Sequence, residues 1–218
     1  CLSSSELIKP IFLPGIEKVV SVACLDDVIA CLAMSGRTYF ASVKKIQKEE
    51  KAQEEEEEDL VFIAVINSLD FVSVDSILNG MKIVCLSGTF HHCLCANEDG
   101  LAFSFGQNGF GELGIGEGIE NDNFVEIVAL NSFKIKAVYA GSNHSFFQTY
   151  DGKILACGSS CCGELMSRGP SEENVYLPIE TGIEKAATFC VVGSSISAVF
   201  IGCDPVNSPN RKIPDSSH

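Results

Sequence analysis

The sequence contains no apolar run longer than the seven residues Leu60 to Ile66. A helix that crosses a bilayer needs roughly 20 apolar residues, so a membrane-spanning helix is excluded. The first residues show no signal-peptide pattern: Lys9 and Pro10 interrupt the first apolar stretch, and no small-residue cleavage site follows. Position 1 holds Cys1 rather than Met, and the expectation is a fragment or a processed product. Basic residues are scarce, 15 Lys and Arg against 29 Asp and Glu, for a net charge of −14. Nucleic acid is gripped by clustered cations that release its counterions, so direct DNA or RNA binding is not expected. Anionic membrane surfaces are disfavoured on the same ground, and the field favours basic protein partners. The eleven cysteines are odd in number and follow no framework spacing. They fit a reducing compartment in which Cys serves as a small apolar residue, so an intracellular protein, cytoplasmic or nuclear, is expected.

What the sequence does contain is an internal repeat. The 218 residues are 46% apolar with a mean hydropathy of +0.22, enough for a sizeable core. Gly100, Gly106, Gly111, Glu112 and Leu113 recur as Gly152, Gly158, Gly163, Glu164 and Leu165, each 52 residues later. Gly88 and His91 recur as Gly141 and His144, 53 residues later. The unit reads apolar strand, Gly, His, apolar strand, Asp-Gly, apolar strand, Gly-rich loop. Its clearest copy runs from Ile135 to Gly158, with Asp151-Gly152 as the hairpin turn. A unit of this length cannot bury its own apolar face, which marks a stacked or radial array.

Two copies are weaker. Lys18 to Cys24, Val28 to Met34, Ser35-Gly36 and Arg37 to Val43 repeat the three-strand order, with Gly36 lying 64 residues before Gly100. The surplus fits an acidic insertion, 44–59, which holds four Lys and eight acids for a local charge of −4. It reads as a solvated loop or an acidic docking arm built on Glu54, Glu55, Glu56, Glu57, Glu58 and Asp59. The last copy starts near Gly182-Ile183-Glu184-Lys185, the same tetrapeptide as Gly15-Ile16-Glu17-Lys18. Gly193 implies a different register for it, and its Asp-Gly turn and third strand are missing. The fold class is all-β: about three to four four-stranded antiparallel blades of a β-propeller over 1–202, followed by a flexible tail at 203–218. Such a set of blades leaves the ring incomplete. The missing blades, a second copy or a flanking subunit would have to cover the open flanks.

Gly106-Gln107-Asn108-Gly109-Phe110-Gly111-Glu112-Leu113-Gly114, set behind Asp99-Gly100 and an apolar strand, resembles the signature of the regulator of chromosome condensation repeat. Gly158-Ser159-Ser160-Cys161-Cys162-Gly163-Glu164-Leu165 is a degraded version of it, and Ala140-Gly141-Ser142-Asn143-His144-Ser145 resembles the family's Gly-x-x-His-Ser step. The resemblance covers residues 10 to 202 and implies blades of a seven-bladed propeller. Its founding activity implies guanine nucleotide exchange on a Ran-like small GTPase. Exchange-active members insert a β-hairpin into a blade, whereas the stretch 44–59 has no hairpin pattern.

The candidate chemistry is sparse. Gly88, Gly100, Gly106, Gly111, Gly141, Gly152, Gly158 and Gly163, with Leu113 and Leu165, are assigned to turns and to close approach of blades. No helical period follows the glycine loop, so it lacks the helix N-terminus of a phosphate site. Cys85, His91, His92, Cys93 and Cys95 carry metal-ligand atoms without a diagnostic spacing, as do Cys157, Cys161 and Cys162. Neither a metal nor a cofactor is assigned, and no catalytic residue. His144 and Ser145 are adjacent and face opposite sides of a strand, which suits a hydrogen-bonding position better than nucleophile activation. His91, Phe110, His144 and the acids 54–59 remain as candidate partner contacts. Ser208-Pro209 carries no weight as a modification site. The expected function is a non-catalytic interaction scaffold, with nucleotide exchange and histone association as alternatives.

Overall fold

The computed structural model describes residues 17–25, 28–42, 72–73, 78, 80–117, 121–167, 174–194 and 196–202. Within them the chain forms fourteen strands and a single 3-10 turn, Val128–Leu130. Strands β1 (Val19–Cys24), β2 (Val28–Ala33), β3 (Thr38–Ser42) and β4 (Val72–Ser73) make one antiparallel meander. A second is built from β5 (Ile83–Gly88), β6 (His92–Asn97), β7 (Ala102–Gly106) and β8 (Asn121–Glu126). The third contains β9 (Ile135–Ala140), β10 (His144–Thr149), β11 (Ile154–Ser159) and β12 (Asn174–Glu180). A two-stranded fourth sheet pairs β13 (Ala187–Val192) with β14 (Ser197–Ile201). These are β-propeller blades, set side by side in chain order, and their row does not close into a ring.

No blade has a core of its own. Each of the three hydrophobic clusters lies in the seam between consecutive blades, because alternate side chains of a strand leave opposite faces. Cys93 and Cys95 of β6 enter the first seam with Leu32, Ile83 and Phe103, while Leu94 and Ala96 enter the second with Ile135, Val138 and Leu155. Phe147 of β10 faces back into that second seam, and Phe146 faces forward onto Ile154, Leu165 and Cys190. All six residues of β6, β10 and β11 are therefore buried, so polar members such as His144, Ser145 and Gln148 of β10 are hydrogen-bonded within the seams rather than turned to solvent. The first strand of the row shows what an uncovered face does. Val20 and Val22 of β1 are more than half exposed, while Ala23 packs into the first seam.

The turn between the second and third strands joins each blade to the next. The carbonyl of Gly36 accepts the amide of Ile83 at 3.0 Å, Gly100 that of Ile135 at 3.0 Å, and Gly152 that of Ala187 at 2.9 Å. Gly152 has φ +86°, and a Cβ there would stand 2.6 Å from Cβ of Ala186. Both the left-handed conformation and the approach of the next blade thus demand glycine.

This spacing also fixes the register of the repeat. His92 pairs with Gly106 as His144 pairs with Gly158, so His92 and not His91 is the counterpart of His144, and the step from the second blade to the third is 52 residues. In the fourth blade Ala187 pairs with Ile201 as Ile135 pairs with Thr149. Gly193 therefore matches Gly141, and the shared Gly-Ile-Glu-Lys tetrapeptide is offset by one residue. The acidic insertion falls in the connection between β3 and β4, outside the described residues, as does the tail from 203 onwards.

Replacing Gly152 by Ala is expected to cost more than about 2 kcal/mol, combining left-handed strain with overpacking at the seam. Gly109, where a Cβ would meet nothing within 4 Å, is the internal control. Gly109→Ala should stay within about 0.5 kcal/mol of the parent in denaturant unfolding.

Candidate functional site

Polar groups as well as apolar ones are consumed in the seams. His92 Nε2 lies 2.8 Å from Ser145 Oγ, and His144 Nε2 lies 2.8 Å from Ser197 Oγ, so the same bond is made at two successive seams. Ser145 donates its single proton to the Glu112 carbonyl at 2.6 Å. It must then accept from His92, which fixes His92 as the Nε2–H tautomer. A histidine that donates to a serine is not a base for it, so His92 and Ser145 are not an activated nucleophile pair. The ring is also fully buried, and burial, aided by the nearby His144 and His91, pushes its pKa down to about 3. Burial lowers His144 as well, and Glu164 works against that shift. The chain departs from this pattern at its flanks. Val28 occupies the His92 position in the first blade, and Ile196, 77% exposed, occupies it in the fourth.

The glycine loop is held from inside by two buried side chains. Asn108 accepts the Leu113 amide at 3.0 Å through Oδ1 and donates through Nδ2 to the Gly116 carbonyl at 2.8 Å. Glu112 takes the Phe110 amide at 2.8 Å, and Glu164 repeats this with the Cys162 amide at 2.8 Å. Leu113 and Leu165 are fully buried beneath these loops. Gly111 lies against the backbone of Val175 and Tyr176 in the next blade, whereas a Cβ on Gly163 would meet nothing within 4 Å. Gly106 and Gly158 close their third strands against the backbone of His92 and His144. Gly88 lies against Ala23 of the preceding blade, and Gly141 against the His144 ring and Val192 of the next.

The thiols divide by exposure. Burial raises the pKa of Cys93, Cys95 and Cys157 far above the usual thiol range and that of Cys190 to about 12. Cys93 and Cys95 are packing residues of the first seam and do not join His91 or His92 in a ligand cluster. Cys24, Cys161 and Cys162 are exposed, and the described cysteines are all free.

Of the candidate contacts, His144 lies in the third seam, 1% exposed, and presents nothing to a partner. Phe110, 42% exposed, stands on the β7–β8 loop, and half-buried His91 on the β5–β6 loop. The Gln107 amide donates to the His91 carbonyl at 2.9 Å, so these two loops share one end of the second blade. Phe90, which sequence reasoning passed over, is 58% exposed there and packs edge-on against His91 at 5.0 Å. The acids 54–59 lie outside the described residues. Their connection leaves the first blade at Ser42, which pairs with Val28 as Gly106 pairs with His92, and so at this same end. Open grooves occur among the described residues. One of ≈ 290 Å³ runs along the outer edge past Ile115, Val125, Val128 and Leu177, and one of ≈ 480 Å³ lies at the opposite end beside Glu17, Gly36, Arg37 and Lys82.

Residues 99–148 match the family model described as the regulator of chromosome condensation repeat, and residues 135–164 match a second model of the same description. The chain is 29% identical over 130 residues to the human probable E3 ubiquitin-protein ligase HERC6, a match covering 58% of this chain and 12% of that protein. It is 29% identical over 97 residues to the human regulator of chromosome condensation, covering 44% of this chain and 22% of the relative. Among solved structures, Prp20p of Saccharomyces cerevisiae, described for its binding to Gsp1p and histones, superposes with a TM-score of 0.57 at 18% identity. That superposition covers 87% of this chain and 45% of the yeast chain. The matches thus span between 12% and 45% of the length of these proteins.

The buried histidine makes stability pH-dependent. His92 is held at about 3 against an ordinary 6.5, so the unfolded chain takes up its proton first. The stabilisation is complete above pH 6.5 and is lost as the pH falls towards 3. The slope contributed by this ring is at most about 1.4 kcal/mol per pH unit. Unfolding midpoints measured from neutral to acid pH should show it, and His92→Gln should flatten the profile.

Proposed function

From a chain built of regulator of chromosome condensation repeats, we propose a non-catalytic protein–protein interaction scaffold that presents one loop end to its partner. The observation that carries this reading is the division of labour between seam and loop. Buried histidines, serines and loop-capping acids are spent on holding blades together, while Phe90, His91 and Phe110 stand together on one end. The connection that leaves the first blade at that end carries Glu54 to Asp59 in its sequence, and the net charge of −14 on the chain suits a basic protein surface. Exposed aromatic side chains are the composition expected of a contact centre. Free thiols throughout the described residues suit a reducing, intracellular setting.

The fourth blade supports a second part of the reading. Among the described residues no strand pairs with the outer edge of β14, and Val191, Ile196, Phe200 and Ile201 are exposed. An edge of this kind is a template for further strands, so additional blades or a flanking subunit would complete it.

Guanine nucleotide exchange on a Ran-like small GTPase is the alternative, favoured by the human regulator of chromosome condensation and by the Gsp1p binding of Prp20p. Histone association is the third reading, favoured by the charge and by the histone binding of the same yeast protein. One experiment separates scaffold from exchange factor. The chain, added in catalytic amounts to a panel of Ran-like GTPases loaded with labelled nucleotide, should leave the release rate unchanged. It should at the same time bind a core histone dimer, and the Phe90→Ser and Phe110→Ser pair should weaken that binding by about tenfold. Accelerated nucleotide release would replace the scaffold reading with exchange.

A further inference from the structure

The second glycine loop has lost its glycine and phenylalanine: Cys161 and Cys162 stand where the first loop has Gly109 and Phe110, 52 residues earlier. Neither sulfur packs into a seam; both are exposed at the loop tip. Cys161 Sγ lies 3.6 Å from Cys162 Sγ and 3.8 Å from Glu164 Oε1. The ligand atoms of these three residues all fall within 4.8 Å of one another.

Those separations are the edges of a coordination polyhedron. With zinc–sulfur bonds of about 2.3 Å and zinc–oxygen bonds of about 2.0 Å at tetrahedral angles, the sulfur–sulfur edge is about 3.8 Å and the sulfur–oxygen edge about 3.5 Å. The two edges at Cys161, 3.6 and 3.8 Å, differ from these by a few tenths of an ångström, and the Cys162–Glu164 edge, within 4.8 Å, closes by side-chain rotation. Glu164 is already positioned, because its Oε2 takes the Cys162 amide at 2.8 Å and leaves Oε1 turned towards Cys161. Ser159 Oγ, 3.5 Å from Cys161 Sγ, supplies a polar neighbour of the kind that orients a thiolate ligand. Soft sulfur with one hard oxygen selects a thiophilic cation over magnesium or calcium.

We propose that Cys161, Cys162 and Glu164 form a surface site for a thiophilic divalent cation, Zn²⁺ foremost, with a fourth position open to water or to a partner's side chain. Binding releases the two thiol protons to solvent and leaves the oxidation state of sulfur unchanged, so uptake strengthens as the pH rises. The spacing of the cysteines concealed this site. Adjacent residues do not read as a ligand pair, and the third ligand is the acid whose counterpart in the preceding repeat caps a loop.

The test uses the full chain, reduced and kept from air, titrated with Zn²⁺ against a chromophoric chelator and with Co²⁺ for its sulfur-to-metal charge-transfer band. One equivalent should bind, and the Cys161→Ser, Cys162→Ser double variant should bind at least about a hundredfold more weakly. Glu164→Gln, which preserves an acceptor for the Cys162 amide, should weaken binding by about tenfold. Cys24→Ser should bind like the parent. On the unaltered chain, Zn²⁺ should slow alkylation of Cys161 and Cys162 while leaving Cys24 reactive, a readout that does not depend on any variant folding. No uptake, uptake that survives loss of both cysteines, or unchanged alkylation at these two positions would overturn the proposal.

Discussion

The structure depends on the contact between a turn glycine and the first residue of the following blade. Three successive blades make it, from Gly36 to Ile83, Gly100 to Ile135 and Gly152 to Ala187, through a backbone hydrogen bond of 2.9 to 3.0 Å. Because donor and acceptor belong to different sheets, this bond sets how closely blades approach. The approach in turn places Ile83, Ile135 and Ala187 at the floor of the three seam clusters. Hydrophobic burial supplies the energy, and the glycine contact decides the geometry in which it is collected.

The same division explains what the sequence discloses. Blades, their strand order and the Asp-Gly turns were legible because short strands rich in Val, Ile, Phe and Cys recur between glycine turns. Register was less legible. His91 and His92 are adjacent and chemically alike, and only strand pairing identifies His92 as the seam residue. The fourth blade was misleading for a similar reason, since its repeated Gly-Ile-Glu-Lys lies before β13, outside the strand pairing that sets the register, although Ile183 packs on the third seam. His144 looked like a contact because histidine is polar. Its burial follows from Ser197, 53 residues away, which no local pattern reveals. Phe90 was missed because nothing in Gly88-Thr89-Phe90-His91-His92 marks which side chain leaves the loop, and only the loop's position turns it outward.

Degradation of the repeat has physical consequences. Met166 stands where the preceding repeat has Gly114, and both adopt left-handed backbone, φ 51° and 69°. The loop imposes that conformation on a residue with a side chain, at a cost of about 1–2 kcal/mol. The loop holds because Leu165 is fully buried and Glu164 still binds the Cys162 amide. A scaffold whose seams are conserved in form can thus vary its loop tips freely. Cys161 and Cys162 occupy such a freed position, and Phe110 marks the same position one blade earlier.

The central claim is that blades are locked to each other through backbone as firmly as strands are within a blade. Hydrogen exchange of the Ile83, Ile135 and Ala187 amides tests it most directly. If the account holds, these three exchange only through global unfolding, as slowly as amides inside β6 and β10. If they exchange like unprotected amides while β6 and β10 remain protected, the blades are separate sheets in loose contact and the account fails.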